Sequence, residues 1–177
     1  MASFRQDPLL GFARGFLTFL IMLMLLVMAG LVVGMPALLI YRDTFLGELG
    51  EQYGSLAGRY DLVWAFIAMM AVLLAIVAMG WRFLVLLRRI VDTVASGDPF
   101  VPENGVRLRE MGWLTVAAQV ATIPAAALGH WVSHVVKDSD FDFELGLGGL
   151  LLTVTLFVLA RVFKRGAQMR EELEGTV

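Results

Sequence analysis

The sequence predicts an all-α integral membrane protein: a four-helix up-down bundle in a single transmembrane domain over residues 1–177, with both termini in the cytoplasm. Three observations predict it. Four long apolar runs, Phe16–Tyr41, Leu62–Trp81, Met111–Val136 and Phe143–Ala160, approach or exceed the roughly 20 helical residues needed to cross a hydrocarbon core. The chain is 59% hydrophobic with a mean hydropathy of +0.78, whereas a soluble domain is about half apolar; the excess must face lipid. Finally, eleven of the fourteen basic residues lie in three segments that alternate with the outer loops.

The charge pattern sets the expected orientation. Arg5 and Arg14 precede the first run; Arg82, Arg88, Arg89, Arg107 and Arg109 separate the second from the third; Arg161, Lys164, Arg165 and Arg170 follow the fourth. The opposite side holds only Arg42, Arg59 and Lys137, with eight acids. Basic segments are retained on the cytoplasmic side. The termini and the connection 82–110 are therefore expected inside, and 161–177 is a cytoplasmic tail.

Each run can be justified in turn. The first spans 26 residues, longer than the roughly 7–15 of a signal-peptide core, so it reads as a retained anchor. Its Gly30 and Gly34 form a small-xxx-small pair suited to close helix contact, within the monomer or in a homo-oligomer. The second run continues past Arg82, which should reach the headgroups, and its apolar spacing carries a helix to Ser96-Gly97. The third holds Thr115, Gln119, Thr122, His130, Ser133 and His134 among many alanines. That composition suits a helix inside the bundle. The fourth is short, and from Leu145 to Ala160 it is free of charge. Pro36 and Pro124 fall inside spans, where neighbouring groups repair the lost hydrogen bond. Trp64, Trp81, Trp113 and Trp131 fall near expected interfaces, as belt tryptophans do.

In the middle connection, Gly97-Asp98-Pro99-Phe100-Val101-Pro102 is a breaker segment. Asn104 is placed to cap a helix starting near Val106, which Arg107 and Arg109 would ride toward Trp113. Phe100 is a large apolar side chain in a polar stretch. It either tucks between the flanking helix ends or serves as a docking knob for a protein partner. The tail reads as helical, basic near the membrane, where anionic lipid attracts it, and acidic at Glu171, Glu172 and Glu174. Those acids are either solvated or face a basic protein. No nucleic-acid module is present, and direct nucleic-acid binding is not expected.

Candidate chemistry is sparse. There are no cysteines, so disulfides, thiolate metal sites and cysteine nucleophiles are excluded. His130 and His134, spaced i,i+4, share one helix face just before the acids from Asp138 to Glu144. Three readings stay open: hydrogen bonding within the bundle, a zinc or other divalent metal site completed by Asp138, and a pH-sensitive pair. The ten methionines read as packing residues. Apart from Glu144 at the outer edge of the fourth, no Asp or Glu lies within a run, and Thr153 and Thr155 have no histidine at their depth. An enzyme is not expected, and no resident cofactor is implied.

The segment Val94–Asn104 with Arg107-Leu108-Arg109 and Gly112-Trp113, together with Ala160–Gly166 and Met169–Val177, resembles the YoaS-like family of bacterial four-span membrane proteins of unknown function. The resemblance implies a bacterial inner-membrane protein. It also implies a partner, since members commonly sit beside a gene for a small helix-turn-helix regulator of the Cro/repressor type. The function expected on this basis is the non-enzymatic regulation or anchoring of that cytoplasmic regulator; the contact residues, taken from the loop and the tail rather than from the resemblance, are Phe100, Arg107, Arg109, Glu171, Glu172 and Glu174. The alternative is an envelope sensor of metal or pH, or a small transporter, using His130, His134 and the outer acids.

Overall fold

The computed structural model describes residues 8–53, 59–135 and 147–174. Helix makes up about 95% of them, and no strand occurs among them. The elements are α1 (Pro8–Ile40), α2 (Arg42–Tyr53), α3 (Tyr60–Ala95), α4 (Pro102–Val135) and α5 (Leu147–Glu174). By length and composition α1, α3, α4 and α5 can each cross a membrane. Their outer faces carry large apolar side chains such as Phe19, Leu26, Val33, Val120, Leu151 and Val154, all more than half exposed. Faces of this kind are stable in hydrocarbon rather than water. Val136, Lys137, Asp138 and the start of the fourth run lie outside the described residues.

The helices are longer than the apolar runs. α1 begins at Pro8 and passes through Pro36, and α4 passes through Pro124. The connection 82–110 is not an extended loop: α3 continues to Ala95, α4 begins at Pro102, and six residues join them. α3 ends in a Schellman turn, in which the Gly97 amide donates to Val94 and the Asp98 amide to Thr93. Gly97 adopts a φ of 88° there, a conformation costly to residues bearing a Cβ. α4 starts four residues before the expected Val106 because Pro102 occupies its first position, where a missing N–H costs nothing.

Two expectations about the spans are corrected. α2 falls in a segment read as an outer loop. Its acidic and basic residues hide the few apolar positions, but Leu46 is 4% exposed. α4 is buried no more than α3 or α5, and Val120 and Ile123 stand more than half exposed on it. Its small residues thin the helix without drawing it inward.

The chain packs as two compact units. One contains residues up to 24, 79–117 and those from 146 on. Its core is Leu86, Ile90, Leu108, Met111, Leu156 and Ala160, with Phe83, Leu87 and Phe163 against it. α4 and α5 approach closely here: a Cβ on Gly105 would lie 3.4 Å from the Ala160 carbonyl oxygen, and one on Gly112 would lie 3.0 Å from the Phe157 ring. The other unit contains 25–78 and 118–145. Its core joins Leu46 of α2 to Leu62, Val63, Ala65 and Val132, with Phe45 edge-on to Phe66.

Candidate functional site

The segments of the first unit that carry the basic clusters are held together by ion pairs. Arg14 of α1 meets Asp92 of α3 at 2.6 Å, Arg82 of α3 meets Glu110 of α4 at 2.8 Å, and Arg170 of α5 meets Asp98. These pairs are half-exposed, and such pairs contribute little individually. Their value is positional, because they gather at one unit the N-terminal, middle and C-terminal segments. Arg82, expected to extend to the headgroups, takes Glu110 as its partner.

Asn104 is the centre of this assembly. It is fully buried, and it is not the helix cap that its position suggested. Its amide nitrogen donates to Thr93 Oγ1 at 2.7 Å and to the Pro99 carbonyl at 2.9 Å. Its Oδ1 accepts from Arg107 Nη1 at 2.8 Å, and Arg107 also donates to the Arg89 carbonyl. Every polar atom of the side chain is thus satisfied, as burial demands. The bonds staple the end of α3, the connection and the first turn of α4 into one piece. Arg107, expected as a contact residue, joins this network through one guanidinium nitrogen.

Phe100 does not tuck between the ends of α3 and α4. It reaches across to α5, where its ring lies 5.5 Å from that of Phe163 and over Gly166, whose absent side chain leaves room. It remains 41% exposed. Asp98, two residues away along the connection, pairs with Arg170. The connection and α5 therefore form a continuous ordered surface. Glu172 is exposed and Glu174 closes α5.

Arg109 and Glu171 line a groove of about 960 Å³ between α4 and α5. Val154, Phe157 and Val158 form its apolar wall, and Arg161 and Lys164 also border it. Trp113 packs edge-on against Phe157 at 5.6 Å and is 63% exposed, as suits a belt residue. Sequence reading took Arg161 and Lys164 as topology signals and as part of a basic stretch drawn to anionic lipid, without placing them on a groove. Their i,i+3 spacing, continued to Gln168 and Glu171, is the pattern that marks one face of α5.

In the second unit, His134 Nε2 lies 3.0 Å from His130 Nε2, and both rings are exposed. The expected sharing of one face is therefore present. Asp138, the proposed third ligand, lies outside the described residues. Among the described residues no three His, Asp or Glu groups cluster to hold a metal ion. Arg59 makes a bidentate contact with Asp61 at 2.9–3.2 Å; that hydrogen bonding raises the guanidinium's already high pKa. Arg42 lies over the Tyr60 ring, whose hydroxyl reaches Asp43. Of the Gly30 and Gly34 pair, Gly34 faces the Met70 methyl and Gly30 faces open space. The hydroxyls of Thr115 and Thr153 meet at 2.9 Å and also bond to carbonyls of their own helices, which is how polar groups are accommodated in an apolar surround.

Four helices long and apolar enough to cross a membrane mark a multi-pass membrane protein. Residues 50–177 match the family described as proteins of unknown function, DUF2975, and the chain belongs to that family. The match agrees with the expected membership of an uncharacterised membrane family. No curated protein and no solved structure matches the chain.

Proposed function

We propose that this chain is a non-enzymatic bacterial inner-membrane protein that anchors or regulates a small cytoplasmic helix-turn-helix regulator. In this reading the α3–α4 connection and the end of α5 make the contact. The observation that carries it is the ordering of a six-residue connection by Asn104, the Asp98–Arg170 pair and the Phe100–Phe163 contact, with Phe100 left 41% exposed. A connection that only joins two helices needs no such fixing, whereas a docking surface gains affinity from being pre-ordered. The identity of the partner rests on the resemblance to YoaS-like proteins. The test is co-purification of the full chain with the regulator encoded beside it. Wild type should retain it; Phe100→Asp and the charge-neutral Gly166→Val, which displaces the Phe100 ring, should each reduce retention at least tenfold with helical content unchanged. If wild type never co-elutes, the reading fails.

The His130–His134 contact supports a second reading, a metal or pH sensor, because the two nitrogens are as close as two ligands of one tetrahedral ion. Zinc should then raise the melting temperature of wild type and not of His130→Ala; equal melting with and without zinc removes the metal half of this reading.

A further inference from the structure

We propose that the groove between α4 and α5 is a binding site for an anionic membrane phospholipid, its acyl chain against Val154, Phe157 and Val158 and its phosphate between Arg109, Arg161 and Lys164. Three observations meet here. The apolar wall belongs to the fourth apolar run, in a helix long and apolar enough to cross a membrane. Val154 and Val158 are 62% and 56% exposed, so the wall is free to take a chain. The cations border the same groove one turn further along α5: Arg161 follows Val158 by three residues, about 4.5 Å along the axis, and Lys164 follows by three more.

The charge is also uncommitted. Arg14, Arg59, Arg82 and Arg170 have acidic partners, whereas Arg109, Arg161 and Lys164 form no ion pair with a described residue. The acid that lines the groove, Glu171, stands seven residues beyond Lys164, about 10 Å further from the apolar wall. The groove therefore grades from apolar through cationic to mixed polar, the order in which a phospholipid presents its chain and its phosphate. Basic grooves between spanning helices bind anionic headgroups by this combination of charge and depth.

The site is tested on the full-length protein in neutral detergent, by native mass spectrometry with phosphatidylglycerol, phosphatidylcholine or soluble glycerol phosphate added. Wild type should retain phosphatidylglycerol over phosphatidylcholine, and glycerol phosphate should not displace it. Each surface cation is worth roughly fivefold in anionic-lipid affinity, so Arg161→Gln/Lys164→Gln should lose about thirtyfold. Arg88→Gln/Arg89→Gln, an equal charge change at exposed positions outside the groove, should lose less than about twofold. Val158→Trp, which fills the apolar wall and keeps the charges, should lower retention as well; it decides the matter if the double variant loses helical content. Equal loss in the two charge variants, equal retention of phosphatidylcholine, displacement by glycerol phosphate, or a silent Val158→Trp would each overturn the site.

Discussion

Asn104 shows how much one side chain can organise. An asparagine amide supplies two donors and one acceptor, and the surroundings of residue 104 offer two acceptors and one donor. Asn104→Ala leaves the Pro99 carbonyl and Arg107 without these partners. It should cost about 2–4 kcal/mol, read as a lower melting temperature in detergent. Asn104→Asp keeps the acceptor for Arg107 and removes both donors, so it should also destabilise. If Asn104→Asp melts like wild type, the amide donors have no structural role. Sequence reading picked Asn104 out correctly as special and assigned it the wrong task. A cap and a buried interhelical clamp use the same residue type, and only the positions of Thr93 and Pro99 distinguish them. Phe100 is a similar case: its apolar character in a polar stretch announced a contact, but the partner surface on α5 is more than sixty residues away in the chain.

At the scale of the element, the long apolar helices were legible because a continuous apolar face needs no knowledge of its neighbours. α2 was not, since it has only a few buried positions and its other residues are polar. Its membership in the core is testable. Leu46→Ala removes a side chain that is 4% exposed against Leu62, Val63 and Val132, and should cost about 2–4 kcal/mol. Unchanged thermal stability would mean that α2 does not pack as described. The end of α3 was readable to within two residues because Gly97 carries a backbone conformation that favours glycine. The start of α4 was misplaced by the more familiar signal of Asn104, although Pro102 held the better one.

For the whole molecule, ion pairs join within the first unit residues from the three segments expected on one side of the membrane, 8–15, 82–110 and 161–174. Which side that is remains a matter of the energetics of translocating arginine. Because the chain has no cysteine, a single introduced one reports cleanly. Arg165→Cys should resist a membrane-impermeant maleimide in intact cells and react after lysis, and Glu48→Cys should react in both. The reverse pattern would invert the orientation and remove the cytoplasmic partner from reach.

The sequence by itself determined the helical class, the four spanning segments and the expected sidedness. These follow from the cost of exposing apolar surface to water and of moving charge through hydrocarbon, and both costs are additive along the chain. Only the tertiary structure decided that Asn104 clamps the connection, that Phe100 docks on α5, and that Arg109, Arg161 and Lys164 share one groove. Those outcomes depend on which residues distant in the chain become neighbours, and no sum over local composition contains that information.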